Sequence, residues 1–396
     1  MKEDWVVVCI GDVAEITDYV ANGSFATLRE NVTYHNEKNF AILVRLADFT
    51  NGFDEDKFVY VDEHAYNFLA KSKLYGGEII MSNVGSIGKL FICPNLGQPM
   101  TLAPNSIVIR TPNNRFFYHL MQSEYFQAQI KYISSKTALP KFNKTSFKKI
   151  PISVPPLPTQ ERIVSELDCI NSIIEKKREQ LKELDALAQS IFYDMFGDPI
   201  HNEKGWEVKT IDDLCASIVR GPFGSALKKD FFVEYTPTAY KVYEQKHAIQ
   251  KNVEIGTYFI SAERFESLSR FEVKVGDIIM SCSGTIGEFY EIPIGAQKGV
   301  MNQALLKFTL NSDINKIFFL HVMEWVKEKF EKKGSGLQNI GSVGTIKKTF
   351  ISSPPLPLQQ SFASKIEAIE KQKELIKRSI AETETLLASR MQYYFG

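Results

Sequence analysis

The chain repeats itself at long range. GEIIMSNVGSIGKLFICP at 77–94 returns as GDIIMSCSGTIGEFYEIP at 276–293, and KKIPISVPPLPTQ at 148–160 returns as KKTFISSPPLPLQ at 347–359. Both pairs are 199 positions apart (276 against 77, 347 against 148) in a chain of 396 residues. The endings QSIFYDMFG (189–197) and ASRMQYYFG (388–396) keep that offset, and Trp5 and Trp206 match with a shift of two more. Solenoid repeats run ~20–50 residues, so this period means a whole domain present twice. The chain therefore has to fold as two similar units, each large enough for its own core.

Each unit reads in two parts. The first is mixed α/β: GEIIMS and GDIIMS are apolar runs bounded by glycine, as strands are. One helix is predicted near 116–133 and one near 314–332, from apolar residues at helical spacing (Leu120, Tyr125, Phe126, Ile130; Leu320, Met323, Val326, Phe330). The second part begins at PPLP. There Ile163, Leu167, Ile170, Ile174, Lys177, Leu181, Leu184, Ala188 and Ile191 follow a coiled-coil spacing, matched by Phe362, Ile366, Ile369, Lys373, Ile376, Ile380, Thr383 and Leu387. The expected fold is an α/β (α+β) tandem repeat. Domains at 1–154 and 198–353 alternate with spacer helices at 155–197 and 354–396, and the helices pair antiparallel, which makes the chain pseudo-two-fold and circular. A helix of ~32 residues makes a rod of ~48 Å. PPLP is then the joint between domain and helix. The bland alternative packs each helix on its own domain.

Composition adds exclusions. No apolar stretch nears the ~20 residues of a membrane span, and MKEDWVVVCIGDVAEI has no signal-peptide pattern. Five scattered cysteines without C-x-x-C read as reduced thiols, so the expected location is cytoplasmic. The six histidines form no metal-ligand spacing. VGSIGKL fails the phosphate-loop pattern at Asn83 and Leu90, and SPPL at 353–356 lacks the aromatic of a methyltransferase tetrapeptide and belongs to the joint. The reading is a non-catalytic chain.

Net charge is zero, yet 131–149 holds six lysines and no acid. Basic, glycine-bearing loops stand at matching places in both halves, with Gln, Asn, Ser and Thr suited to base edges and Lys and Arg to phosphates or guanine. The candidate DNA-binding residues are Ser86, Lys89, Lys136, Lys141, Asn143 and Lys144 in the first half. In the second they are Arg220, Ser225, Lys228, Lys229, Ser283, Thr285, Lys333, Ser335, Gln338 and Asn339. Tight structural turns and solvated lysines are the competing account of the same loops.

As a set, PPLPTQERI, MSNVGSIG, MSCSGTIG and MFGDP followed by GWEVKTIDDL resemble the specificity subunit of type I restriction–modification systems, over the whole chain. The second joint departs from the pattern at Gln360, where a glutamate is usual. The resemblance implies two target recognition domains reading the halves of an asymmetric, bipartite site in double-stranded DNA. It implies helices that set the gap and dock two methyltransferase subunits; the ~48 Å rod expected from the spacing would separate the domains by a little over one B-DNA turn of ~34–36 Å. Restriction/translocase subunits join through the complex. S-adenosylmethionine, ATP and Mg2+ would belong to those partners, with no cofactor or metal in this chain and no membrane involved. The rival readings are a stand-alone repressor or architectural protein, a coiled-coil scaffold that binds no DNA, and a fused restriction enzyme, which the missing catalytic motifs disfavour.

Overall fold

The computed structural model describes residues 4–135, 138–330, 332–333, 339–340 and 342–396. Two compact units divide it, one of 1–179 with 377–396 and one of 180–376.

The first unit is built on two four-stranded sheets. One runs Glu15–Asp18, Ser106–Arg110, Ile79–Ser82, Leu90–Ile92, with every neighbour antiparallel. The other runs Tyr60–Val61, Ala41–Val44, Met100–Leu102, Lys73–Leu74, with one parallel pair at its centre. GEIIMS becomes a central strand, Ile79–Ser82, that is buried on both faces, which explains its unbroken apolar run. Val6–Cys9 pairs separately with Pro151–Val154.

The second unit repeats this plan strand for strand: Cys215–Arg220, Leu305–Leu310, Ile278–Ser281, Phe289–Glu291 in one sheet, and Phe259–Ile260, Tyr240–Tyr243, Gly299–Met301, Glu272–Val273 in the other. The registers repeat as well. Met81 faces Ile107 as Met280 faces Leu306, and Ile42 faces Met100 as Lys241 faces Gly299. Each of these positions moves by the 199 of the sequence offset, whereas the strands Glu15–Asp18 and Cys215–Arg220 match with a shift of 202 at Asp18 and Arg220. The duplication is thus preserved down to individual cross-strand pairs.

The predicted single helices differ between units. In the first, Ser123 ends Asn114–Gln122 and caps Glu124–Ile133, its hydroxyl accepting from the Phe126 N–H (3.3 Å). In the second, Lys316–Val326 runs on into one tight turn, Lys327–Lys329. A serine able to satisfy free N–H groups splits one helix; counted from the capping asparagines, Asn113 and Asn315, its place in the second unit holds Trp325, which has no such oxygen.

The long helices are Leu157–Phe196 and Leu356–Phe395, 40 residues each, or ~60 Å by the helical rise and longer than the spacing predicted. Pro158 and Pro357 stand in the first turn, where a missing N–H costs nothing, and Gly197 ends the first helix at φ +72°. The helices run antiparallel: within the first unit Arg178 pairs with Glu384 (2.8 Å) and Glu166 with Arg390, and within the second Asp185 pairs with Lys373 (2.7 Å). The two lysines that interrupt the seam are both satisfied. Lys177 donates to Ser379 Oγ (2.6 Å) and Thr383 Oγ1 (3.0 Å), and Lys373 also meets Glu370 (2.7 Å). Polar groups at such positions fix helix register. The chain also closes on itself as expected: Tyr394 and Phe395 are buried in the core that holds Ile10, Phe116 and Ile163.

The joint has a simple chemistry. Gln160 donates to the Pro155 carbonyl (2.9 Å) and Gln359 to the Pro354 carbonyl (2.7 Å), so the glutamine of PPLPxQ clamps the bend that opens the helix. Gln359 Oε1 also accepts from the Asn315 N–H (2.8 Å), whereas Gln160 Oε1 finds no partner among the described residues. Gln359→Ala therefore strips two buried backbone groups and is expected to cost about 2–3 kcal/mol, against about 1 kcal/mol for Gln160→Ala. Urea unfolding of the two variants checks the order; equal losses would remove the clamp from the account of the second joint.

Candidate nucleic-acid interface

The sequence's glycine loops and basic segments converge. In the first unit, SNVGSIGK turns the chain from Ile79–Ser82 back to Leu90–Ile92, and Gly85 (φ +75°) and Gly88 (φ +77°) take left-handed conformations there. Val84 bridges Lys141, the Gly85 N–H meets the Pro140 carbonyl (2.9 Å), and the Phe142 N–H meets the Asn83 carbonyl (3.1 Å). Two segments ~55 residues apart in sequence therefore form one surface, on which Ser86, Lys89 and Lys141 are exposed. Beside it lies a cleft of about 500 Å³ lined by Tyr34, Arg45, Ser82, Val84, Ser86 and Asn105.

Two candidates have structural work instead. Asn143 caps the short helix Lys144–Lys148, accepting from the Ser146 N–H (2.8 Å). Lys144 pairs with buried Asp18 (2.8 Å), which also accepts from the Ala21 N–H (2.9 Å).

In the second unit, SCSGTIGE makes the same turn. Ser281 Oγ donates to the Thr285 carbonyl (2.6 Å) and accepts from the Glu288 N–H (3.0 Å), and the Ile340 N–H bonds the Cys282 carbonyl (3.0 Å). Burial pushes the Cys282 thiol up to about 12, so it is a packing group and not a nucleophile. Thr285, Ser225, Lys228 and Lys229 are exposed and Ser283 half-buried. Arg220, Phe223, Ser283, Gln303 and Ala304 line a recess of about 240 Å³. Lys229 lines a neighbouring recess that shares Gln303. The backbones of Lys333 and Asn339 pair in a short two-stranded ladder. Lys136, Ser335 and Gln338 lie outside the described residues.

The registers identify equivalent positions with opposite chemistry. Asp18 faces Ile107 and Arg220 faces Leu306, which is Ile107's repeat partner, so an acid in one unit stands where the other has a guanidinium. Arg45 and Glu244 each follow the strand that pairs in parallel at the sheet centre, and each opens a short helix. Arg45 is held by buried Asp48 (2.5 Å). At Asp48's place in the repeat stands His247, whose Nε2 meets the Ile255 carbonyl (2.7 Å) while its Nδ1 accepts from the Glu244 N–H (2.8 Å). Burial lowers its pKa and keeps it neutral, as that bonding requires.

Both halves match the family model described as the type I restriction modification DNA specificity domain, over residues 2–185 and 203–385. The chain belongs to this family. Similar proteins include the putative type I restriction enzyme MjaX specificity subunit of Methanocaldococcus jannaschii, 21% identical over 98% of this chain and 93% of that one. The type I restriction enzyme MjaIX specificity subunit of the same organism is 22% identical over 93% and 87%. Among solved structures, the type I restriction-modification system S subunit from M. genitalium matches with a TM-score of 0.53 at 11% identity, covering 99% of this chain and 96% of that one. A chain from a study of complex assembly and conformational transition of the type I R-M system matches with a TM-score of 0.62 at 16% identity, covering 99% and 97%. At those identities the likeness is one of fold. Among the described residues of this specificity-family chain there is no metal-ligand cluster, and no helix is long and apolar enough to cross a membrane.

The positions that the sequence did not single out are Arg45, Asn105, Phe223 and Gln303. Asn105 and Gln303 sit in the turns before Ser106–Arg110 and Leu305–Leu310, and the Pro-Asn pair at 104–105 is a turn signal that marks the first of them. Phe223 follows Gly-Pro and is exposed, 75%, beside Arg220. Nothing local marks it as more than a loop residue.

Proposed function

We propose that each unit reads one half of an asymmetric, bipartite site in double-stranded DNA, through the segments around 82–89 and 138–144 in the first and 219–231, 281–288, 302–304 and 331–341 in the second. The observation that carries this is the pairing of one strand plan with two chemistries: Asp18 with Lys144 against Arg220, and Arg45 against Glu244. Two copies of one reader would keep the same residues at the same register and call for a palindromic site. Residues of different charge at equivalent positions, Asp18 buried and Arg45, Arg220 and Glu244 half-buried, are what two different readers require. The recognition domains in this proposal are 1–154 and 198–353, and the helices of 155–197 and 354–396 set the spacing and seat two methyltransferase subunits, with restriction/translocase subunits joining through them. The chain itself is non-catalytic and works on DNA in the cytoplasm, while S-adenosylmethionine, ATP and Mg2+ are bound by its partners. Within the site, Ser86, Lys89, Lys141, Ser225, Lys228, Lys229 and Thr285 offer exposed donors, and Lys136, Lys333, Ser335, Gln338 and Asn339 complete the set.

The test is co-expression with the cognate methyltransferase and single-molecule mapping of methylated adenines. The expected result is a split, non-palindromic motif of which one half alone changes when residues 206–340 are exchanged for those of a relative. A stable complex that methylates nothing would favour a scaffold that binds no DNA, and an operator bound tightly without partners would favour a repressor.

A further inference from the structure

We infer that Arg220 is the group with which the second unit reads a guanine, while Lys228 and Lys229 hold phosphates; this rests on the DNA-reading function proposed above. Arg220 ends the strand Cys215–Arg220 and is half-buried at the recess it shares with Phe223, Ser283 and Gln303. Its Nε donates to the Gln303 carbonyl (3.3 Å) and its Nη1 to the Ile340 carbonyl (3.4 Å). No carboxylate among the described residues pairs with it, and its partners among them are neutral carbonyls. Two carbonyl tethers aim a planar fork without neutralising it, which is how a guanidinium is prepared for the O6 and N7 acceptors of guanine. A phosphate contact needs reach and charge and not a fixed plane, and the exposed Lys228 and Lys229 supply those.

The backbone beside Arg220 is fixed as well. The Gly221 N–H bonds the Leu305 carbonyl (3.0 Å), and a Cβ on Gly221 would stand 1.8 Å from the Asn302 carbonyl oxygen, so glycine alone lets the strand cross the turn that carries Gln303. The exposed Phe223 ring lies 5.9 Å from the guanidinium and gives it an apolar flank. The repeat supplies an independent argument. At the same register the first unit holds Asp18, which caps a turn and is neutralised by Lys144. The fold does not need an arginine there, and the first unit's half-site is not read by one at that place.

The experiment uses the full chain in complex with its modification partners, after the exchange of 206–340 has shown which half-site belongs to the second unit. Adenine methylation is mapped for wild type, Arg220→Gln and Arg220→Lys, and binding is measured on duplexes carrying 7-deazaguanine singly at each guanine of that half. The expected result is one guanine position, in that half only, at which discrimination falls roughly 5- to 150-fold in Arg220→Gln, with Arg220→Lys between it and wild type. The wild-type complex is weakened by 7-deazaguanine at that position and the Gln variant is not. Lys228→Ala with Lys229→Ala lowers binding at all sites alike and reduces its salt dependence.

A second-unit half-site without a G·C pair overturns the inference. So does an unchanged motif in Arg220→Gln, or a uniform loss of methylation with sensitivity to 7-deazaguanine retained. If the Gln variant fails to fold, a wild-type complex indifferent to every single 7-deazaguanine overturns it on its own. A wild-type complex that methylates nothing would instead sink the DNA-reading function itself.

Discussion

Phe362→Ala is expected to destabilise the second unit by about 3–5 kcal/mol, the range for removing a fully buried aromatic ring. The ring is wholly buried on the first turns of the second long helix, with Phe192 at 5.5 Å, Phe196 at 5.3 Å and His321 at 5.1 Å. Those neighbours come from the end of the other long helix and from Lys316–Val326, so one side chain joins three elements. Collapse into the void is restricted, because Phe192 is also stacked on Phe318 (5.9 Å) and Trp325 (5.9 Å), and Gln359 pins the helix one turn earlier. The repeat sets the scale for a milder change. The first unit has buried Ile163 at this place, so Phe362→Ile is expected to lose less. Amide hydrogen exchange on the intact chain separates the units. Peptides from 305–326 should lose protection roughly a hundred- to a few-thousand-fold, and peptides from 79–130 should not. Equal loss in both would mean that the units do not unfold separately and that the ring's role is not local.

The duplication was legible in the sequence because a period-two strand and its loop tolerate little change in register. A shared offset between GEIIMS and GDIIMS is a statement about which residues face each other, and the cross-strand pairs Met81–Ile107 and Met280–Leu306 are its structural form. The joint was legible for the same reason: PPLPxQ is local chemistry, a proline bend and one glutamine clamp. The length of the rod was not, since a count of ~32 residues leaves out turns at its ends, the first of which holds Pro158 or Pro357. Nor was the split at Ser123, where a helix former and a cap are the same residue seen from two sides.

In the candidate site, the sequence brought out lysines and missed what they face. Lys144 read as a phosphate ligand, but its partner Asp18 is 126 positions away and only strand pairing brings them together. Phe223 and Gln303 are likewise ordinary turn residues until Arg220 is placed opposite Leu306. Local pattern marks which segments are loops. It does not say which loops meet.

Lys307→Met is expected to destabilise the second unit by about 3–5 kcal/mol, because it strands a buried carboxylate. Asp277 is 3% exposed and sits 3.3 Å from Lys307 Nζ, which also donates to the Glu272 carbonyl (2.5 Å). Thr309 Oγ1 (2.7 Å) and the Lys274 N–H (2.9 Å) complete its bonding, but neither carries charge. The first unit neutralises the same carboxylate differently. Glu78 stands at Asp277's place, Val108 at that of Lys307, and Arg110, at that of Thr309, brings its Nε to 3.6 Å from Glu78. A buried acid has thus kept one cation through the divergence of the two halves, while the cation has moved two residues along the strand. The pairing therefore predicts a rescue: Lys307→Val with Thr309→Arg transfers the first unit's arrangement and should recover most of the loss, although Thr309→Arg alone adds a second cation and should be neutral or harmful. A double-mutant cycle read by urea unfolding measures the coupling. Additive losses from the two changes would show that the acid does not depend on a cation from this strand, and that the shift between repeats is coincidence.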